Sequence, residues 1–261
     1  MVRRIALIVV FAATVAAGCG GERSRPRPRP ASGPGPVAGP ALEAAIALRV
    51  AEYGPAARDR LRPSFAVAGV PYPPARFLLL GLKRERELQL YASGAGQPLR
   101  FIQSFRIAGA SGALGPKLRE GDHQVPEGIY RIAYLNPRSI AHLSLALTYP
   151  NDFDLARAAE DGRDPLALGG DIMIHGGGKS VGCLAIGDLA AEDLFVLAAD
   201  SDWHSAVIII SPVDFRRATL PFGYRAPVPW VDQLYTQLRT QMFSLPAPAR
   251  FPATSVAAGA Y

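Results

Sequence analysis

The sequence predicts an α+β fold, in which a mostly β domain carries helices at its N-terminal and C-terminal ends. Short runs rich in branched and aromatic residues recur through the middle of the chain and are separated by Gly, Pro and Asn, which is typical of antiparallel strands. Apolar residues at helical spacing precede and follow these runs. About 220 residues follow residues 1–40, which is enough for one sizeable core, and we expect one main domain.

Residues 1–19 predict an export signal that ends in a lipobox. Two arginines precede an apolar stretch from Ile5 to Val15, and small residues lead from it to Cys19. The stretch is too short to span a bilayer, and in a lipobox the cysteine is lipidated and anchors the chain to a membrane. Ala16 stands where Leu is usual, so ordinary cleavage, which leaves a soluble periplasmic protein, is the alternative.

Residues 20–40 predict a stiff tether, because their Arg-Pro repeats favour extended polyproline conformations. The arginines of residues 1–40 supply most of the net charge of +6, so the remaining chain is nearly neutral. A near-neutral folded part lacks the basic face that nucleic-acid binding requires, and no nucleic-acid partner is expected. Contact of the tether with anionic lipid or the cell wall stays open beside a simpler role as a solvated spacer.

A helical lead-in is predicted over residues 41–72, and a strand-rich domain over residues 73–217. Apolar residues at roughly helical spacing predict a helix from Ala41 to Tyr53, which the Gly-Pro pair at 54–55 would end. Seven strands are expected in the domain, at residues 76–81, 87–91, 100–107, 128–133, 142–147, 171–175 and 205–211.

Two more helices are predicted toward the C-terminus. Asp188 is a candidate N-cap for a helix through Ala199. A further helix is predicted over about residues 229–242, with a proline near its start. It belongs to a C-terminal extension, residues 218–261, which is otherwise irregular.

The segment from Ile172 to Cys183 places a histidine and a cysteine around a glycine-rich turn. The chain has two cysteines, and Cys19 belongs to the export signal, so Cys183 has no partner for an intramolecular disulfide. Thiol catalysis needs a thiolate, a base that accepts its proton, and backbone N–H groups aimed at the oxyanion. A strand that ends at His175 and a turn back to the cysteine can supply all three.

Four residues of this segment have predicted roles in catalysis. Cys183 is the nucleophile, with a pKa lowered from that of an ordinary thiol, and His175 is its base. The Gly176 carbonyl would fix the imidazole tautomer, and Gly182 lets backbone N–H groups approach a substrate without a side chain in the way.

The same residues fit two other catalytic motifs less well. Residues 178–180 mimic the end of a phosphate-binding loop, but that motif requires glycine where Met173 stands. The segment also matches G-x-S-x-G, the serine elbow, with Asp202 and His204 downstream. That motif belongs to alternating α/β chains, whereas this chain is rich in strands, so Ser180 stays a rival nucleophile.

A zinc site and a purely structural role are the remaining alternatives. Zinc ligands would be His175, Cys183, His123 and His142, yet C-x-x-C and H-E-x-x-H spacings are absent from the sequence. A buried cysteine beside a core histidine is common, but the surrounding glycines contribute little packing. We expect no metal and no cofactor.

The segment resembles the catalytic motif of the L,D-transpeptidase family, the YkuD-type domain, whose pattern is His-Gly, a spacer and Ser-x-Gly-Cys. Upstream, residues 114–132 resemble the family's G-D-x-x-T-P-x-G-x-Y segment, with Val125 where Thr is common. Residues 136–151 resemble the branch that includes the murein transpeptidase-related amidases. The resemblance covers about Phe77 to Phe215 and implies a YkuD-like β-sandwich domain.

Two departures from the family's pattern leave the nucleophile untouched. The spacer between His175 and Ser180 is shorter than in the commoner branch, and Val181 stands where that branch has a second histidine. The polar residue, often Arg, that follows the cysteine there is missing, because residues 184–186 are Leu-Ala-Ile. Recognition of the donor peptide is expected to differ accordingly.

The resemblance implies an enzyme that acts on peptidoglycan stem peptides. Cys183 would attack the carbonyl at the L-centre of a diamino acid and form a thioester, which an amine or water then resolves. His175 would act as base and then as acid, the Gly176 carbonyl would orient the ring, and the amides of Gly182 and Cys183 would bind the oxyanion.

Four more residues are candidates for substrate binding. Ser180 would shape the turn or bond to the substrate, and Lys179 would meet a carboxylate or point to water. His142 and Tyr149 would line the groove, or would be packing residues beside an apolar strand.

The sequence does not identify the acyl acceptor. An amine would make the protein a transpeptidase that cross-links peptides or attaches a protein to the wall, and water would make it an amidase that detaches a wall-linked lipoprotein or peptide. A non-catalytic peptidoglycan-binding protein is the alternative of another class. In each case we expect the bacterial cell envelope, facing the periplasm, with a lipid anchor at Cys19.

Overall fold

The computed structural model describes residues 39–248. The predicted export signal, Cys19 and nearly all of the tether lie outside the described residues, as does the end of the chain from residue 249. Within residues 39–248, no helix has the length and apolar character needed to cross a membrane.

Within these residues, eight strands form one mixed sheet, and together with four helices they confirm the predicted α+β class. The strands are β1 (Arg76–Leu82), β2 (Glu87–Ser93), β3 (Arg100–Arg106), β4 (Gly128–Asn136), β5 (Ser144–Leu147), β6 (Met173–His175), β7 (Leu184–Ala185) and β8 (Val207–Ser211). Their spatial order is β3-β2-β1-β8-β4-β5-β6-β7. The pairs β1 with β8 and β6 with β7 are parallel, and the other neighbours are antiparallel. The seven predicted strands are confirmed, and β7 is one that the sequence did not indicate.

The sheet curls until its two ends approach each other. β3 and β7 lie at opposite ends of the strand order, yet Gly109, just after β3, bridges to Ala185 of β7. The Ala185 amide donates to the Gly109 carbonyl at 2.8 Å. A Cβ at Gly109 would lie 2.5 Å from the Gly178 carbonyl oxygen, so the close approach requires glycine. The curl therefore brings the chain after β3 against the glycine-rich turn of the predicted site.

The four helices are α1 (Pro40–Ala68), α2 (Asp152–Glu160), α3 (Asp188–Asp200) and α4 (Val231–Phe243). The sequence analysis missed α2, which begins with a capping box between Asn151 and Asp154. The N-cap prediction for Asp188 is wrong, because Gly187 holds that position and Asp188 is the first helical residue. α4 confirms the predicted C-terminal helix, although it begins two residues after Pro229.

The first helix is more than twice as long as predicted. Its predicted end at residues 54–55 is wrong, because α1 continues through Pro55 and Pro63. Its buried stripe has helical spacing and consists of Ala57, Leu61 and Phe65. Arg58 donates two hydrogen bonds, at 2.8 and 2.7 Å, to the Asp200 carboxylate of α3. Packing and pairing against α3 outweigh the local helix-breaking tendency of proline.

The central strands are apolar throughout because both faces of the sheet are covered. In β1, Leu79 belongs to the core that includes residues of α1 and α3, whereas Leu78 and Leu80 belong to a second core with α4. In β8, Ile208 and Ile209 divide in the same way. Strands covered on both faces lose the alternation of apolar and polar residues that marks a strand with one solvated face.

A buried carboxylate holds the segment between β3 and β4 in place. Glu127 is fully buried and accepts hydrogen bonds from Lys83 at 2.9 Å, the Gly115 amide at 2.7 Å and the Tyr235 hydroxyl of α4 at 2.7 Å. Lys83 also donates to the Gly115 and Val125 carbonyls at 3.0 Å. Burial lowers the pKa of Lys83, and the adjacent carboxylate opposes that effect. The network fixes a segment that reaches the predicted site.

Candidate active site

His175 and Cys183 lie beside each other on adjacent strands at one end of the sheet. His175 is the last residue of β6, and Cys183 immediately precedes β7. His175 pairs with Ala185, two residues beyond Cys183, so the imidazole and the thiol are on the same face of the sheet.

The imidazole of His175 is held in one tautomer. The ring is buried, and its Nδ1 lies 2.6 Å from the Gly176 carbonyl oxygen. A carbonyl oxygen can only accept a hydrogen bond, so Nδ1 carries the proton of the neutral ring and Nε2 keeps its lone pair. The ring can therefore take a proton at Nε2, which is what a general base needs.

The turn after β6 is fixed by β5 and α3. The Gly176 amide donates to the Leu143 carbonyl at 3.1 Å, and the Gly177 amide donates to the Asp188 carboxylate at 2.7 Å. A Cβ at Gly176 would lie 2.6 Å from an Asp188 carboxylate oxygen and 2.8 Å from the Ala141 carbonyl oxygen. The position therefore admits glycine alone, and the carbonyl that orients His175 has little freedom to move.

Two backbone groups contact the Cys183 thiol. Its Sγ donates to the Asp171 carbonyl at 3.4 Å and accepts from the Met173 amide at 3.4 Å. Burial raises the pKa of the thiol above its ordinary value, and the negative charge of Asp171 adds to this effect. The predicted lowering of the pKa is wrong for the free protein, because the sequence shows the nearby histidine but not the burial of the sulfur. Within residues 39–248, no hydrogen bond joins the thiol to the His175 ring, a separation common in enzymes without substrate.

Serine hydroxyls accept hydrogen bonds from the two amides that were expected to bind an oxyanion. The Gly182 amide donates to Ser111 Oγ at 2.7 Å, and the Cys183 amide donates to Ser180 Oγ at 3.0 Å. Gly182 has φ +90°, in the left-handed region that favours glycine, so the turn presents its amide in a conformation most residues avoid. Ser111 in turn donates to the His123 carbonyl at 2.6 Å. The hydroxyl oxygens stand where a substrate oxygen would bind.

Sequence reasoning missed Ser111. It lies 71 residues before Gly182, in the segment that the curled sheet brings to the turn. No local motif marks a serine at such a distance. Asp171, whose carbonyl binds the thiol, was likewise assigned no role, although it is close to the turn in sequence.

The remaining candidate residues are in three different environments. His142 points to the helices, where Nε2 lies 3.0 Å from a Glu192 oxygen and the ring meets Tyr53 edge-on. Tyr149 is buried, with its hydroxyl 3.4 Å from the Leu168 carbonyl oxygen, and burial raises its pKa. Lys179 is exposed on the turn. The contacts of His142 and Tyr149 are those of packing residues, which was the alternative that the sequence left open for both.

The structure provides no support for the serine elbow or a zinc site. Ser180 lies in a turn between two short strands, without the helix that follows an elbow serine, and its hydroxyl accepts from the Cys183 amide. His204 stacks on Trp203 in the short 3₁₀ turn before β8. In the described part of the chain, no three His, Cys, Asp or Glu side chains come together as metal ligands.

A cavity of about 660 Å³ lies next to the segment that carries Ser111. Leu114, Leu118 and Pro227 give it an apolar wall, and Arg119 and Arg163 supply positive charge. Neither the thiol nor the imidazole lines this cavity.

A sequence comparison confirms the resemblance to the L,D-transpeptidase family. The chain is 35% identical over 115 residues to "Putative L,D-transpeptidase YafK" of Escherichia coli K12, a match that covers 43% of each chain. The same protein from Escherichia coli O157:H7 matches equally. The match thus spans less than half the length of these curated relatives. No protein-family model matches the chain.

Solved structures give weaker similarities. The helical cell shape determining protein Pgp2 from Campylobacter jejuni aligns with a TM-score of 0.40 and 22% identity, over 53% of this chain and 48% of that one. Bd1075 of Bdellovibrio bacteriovorus aligns with a TM-score of 0.37 and 21% identity, over 55% of this chain and 50% of that one. Similarities at this level carry no functional argument.

Proposed function

We propose that this chain, which is similar in sequence to an L,D-transpeptidase, is a cysteine acyltransferase that acts on peptidoglycan stem peptides. The observation that carries the proposal is the His175–Gly176 contact of 2.6 Å, because it leaves Nε2 unprotonated on the face of the sheet that also bears Cys183. The protein's place would be the cell envelope, facing the periplasm, with lipidation of Cys19 as its anchor.

Acylation begins with transfer of the thiol proton to His175. Substrate binding would exclude water and draw Sγ from the Asp171 carbonyl toward Nε2, which takes the proton as Sγ attacks the peptide carbonyl. The C–S bond forms, the oxyanion is bound by the amides of Gly182 and Cys183, and His175 protonates the leaving amine. The substrate oxygen replaces the hydroxyl oxygens of Ser111 and Ser180 at these amides.

The second half of the reaction consumes the thioester. An amine or water loses a proton to His175 Nε2 and attacks the thioester carbonyl, the C–S bond breaks, and the proton returns to the sulfur. An amine gives a new peptide bond and therefore transpeptidation. Water gives hydrolysis, and the protein would then be an amidase that releases a lipoprotein or a peptide from the wall.

Ser180, Lys179, His142 and Tyr149 take secondary roles in this proposal. Ser180 shapes the turn through its contact with the Cys183 amide. Lys179 is exposed on the turn that leads to Cys183 and is free to meet a carboxylate of the stem peptide. His142 and Tyr149 support the fold around the site.

The test is mass spectrometry of wall peptides and intact sacculi incubated with the protein. Loss of a terminal D-amino acid with new cross-linked or exchanged peptides is expected, and Cys183→Ala should abolish it, whereas Ser180→Ala should slow it about tenfold or less. Release of a bound peptide or lipoprotein without new bonds would establish the amidase instead. Activity that survives Cys183→Ala and is lost in Ser180→Ala would assign the serine as nucleophile. No cysteine-dependent change would leave the non-catalytic wall-binding protein.

A further inference from the structure

Asp171 places a negative charge beside the proposed nucleophile. Its backbone carbonyl accepts the thiol hydrogen bond of Cys183 at 3.4 Å, and its side chain is exposed. Within residues 39–248, its carboxylate forms no ion pair and no hydrogen bond, whereas Asp122 nearby is paired with Lys117 at 2.6 Å. The site therefore contains an anionic group without a partner.

The Asp171 carboxylate disfavours the thiolate form of Cys183. Its charge adds to the burial that raises the pKa of Cys183. In the same way it adds to the burial that raises the pKa of the half-buried Tyr134 in β4. A charge that opposes thiolate formation makes the first step slower. Its place at the site therefore calls for a compensating role in another step.

The backbone of Asp171 gives a second reason to look for such a role. The residue has φ +53°, in the left-handed region, and is one of four non-glycine residues there among those described. The two preceding residues, Gly169 and Gly170, show that glycine is used freely in this stretch. Aspartate in this conformation costs more than glycine would, and strain of this kind concentrates at functional sites.

We propose that the Asp171 carboxylate binds the ammonium group of the acyl acceptor and favours transfer to a cationic amine over hydrolysis. The proposal rests on the function proposed above. A primary amine is protonated at neutral pH and is attracted to an unpaired carboxylate next to the thioester. The ammonium releases one proton to solvent, the neutral amine attacks the thioester carbonyl, and His175 carries the second proton from nitrogen to sulfur. The C–N bond forms as the C–S bond breaks, and no other reactant is needed.

The experiment compares the full-length protein with Asp171→Asn. Asparagine also tolerates the left-handed conformation, so the backbone should keep its place. Asp59→Asn, an exposed position on α1, is the matched control for the change of one charge. Each protein is acylated with a wall stem peptide, and the thioester at Cys183 is detected by mass. It is then offered an α-N-acetyl-lysine amide, which is cationic, or hydroxylamine, which is neutral at pH 7.

In Asp171→Asn, the ratio of lysine adduct to hydrolysis product should fall about threefold to fivefold, which is the range for a partly exposed ion pair. The ratio for hydroxylamine should stay unchanged, the effect should shrink in high salt, and iodoacetamide should label Cys183 faster. If the ratio of lysine adduct to hydrolysis product is unchanged, or if the ratios for lysine amide and hydroxylamine fall equally, the role proposed for Asp171 is wrong. Detection of the thioester would in that case still support the proposed function. Absence of any thioester in the unmutated protein would overturn the proposed function, and this inference with it.

Discussion

Burial controls the reactivity of Cys183. Its sulfur is shielded by the strand end at Met173, and its proton is bound by the Asp171 carbonyl. Burial raises the pKa of the thiol above its ordinary value, which disfavours the thiolate in the free protein. A thiol held in this way is expected to react slowly with alkylating reagents.

This state of the thiol can be measured by alkylation. Iodoacetamide labelling of the Cys183 peptide, followed by mass spectrometry so that Cys19 does not contribute, should show a midpoint above the ordinary thiol range. At pH 8 we expect a rate about tenfold or more below that of the urea-unfolded protein. His175→Ala should leave the midpoint unchanged, because the resting thiol is not bonded to the ring. A midpoint below the ordinary thiol value would instead show a thiolate–imidazolium pair in the free protein.

Ser111 accepts from the Gly182 amide in the resting site, and a substrate oxygen has to replace its hydroxyl there. Removal of the hydroxyl makes that exchange unnecessary, so Ser111→Ala should raise kcat/KM by up to about fivefold, the value of one ordinary hydrogen bond. Ser111→Thr should keep the unmutated rate, and Ser104→Ala at an exposed position of β3 is the control. A fall in kcat/KM for the alanine variant would show that the hydroxyl orients the amide rather than competing with the substrate.

Among the elements, α4 stabilises the buried Glu127 carboxylate through the hydroxyl group of Tyr235. The Tyr235 hydroxyl donates to the fully buried Glu127 carboxylate, which also holds Lys83 and the Gly115 amide. Tyr235→Phe should therefore lower the free energy of unfolding by about 1.5–3 kcal/mol, as for a hydrogen bond to a charged group. Urea unfolding measures it. Tyr224→Phe should cost less, since that hydroxyl contacts Tyr235 and is closer to solvent; equal losses would exclude a special role for the contact with Glu127.

The elements also show what could be predicted from the sequence and what could not. The strands were predictable because branched residues between turn residues mark them wherever they pair. The full length of α1 was not predictable, because its continuation past Pro55 depends on packing and ion pairs with α3, which is far away in sequence. β7 has two residues and forms because β6 and Gly109 lie on either side of it. The capping box of α2 was visible as Asn151 and Asp154, and could have been found.

At the scale of the whole molecule, the site depends on contacts that close the sheet. The His-turn-Cys segment could be located from sequence, because its residues are close along the chain. The contact of Ser111 with Gly182 could not be predicted, because it needs the two ends of the sheet to meet. The geometry of the site therefore depends on closure of the sheet, which no local sequence pattern predicts.

The two cores lie on opposite faces of one sheet, so we expect the α4 side and the site to unfold together. Leu238 is fully buried in the core of α4, and Leu238→Ala should lower the free energy of unfolding by about 2–5 kcal/mol. Gln237→Ala, an exposed neighbour, should have almost no effect. In a Trp203→Phe background, which leaves Trp230 beside α4 as the single tryptophan, its fluorescence and the alkylation of Cys183 should show the same midpoint in urea and the same shift in the variant. A midpoint for Cys183 that stays put while that of Trp230 falls would make α4 a separable unit, and the second core would then have no part in holding the site.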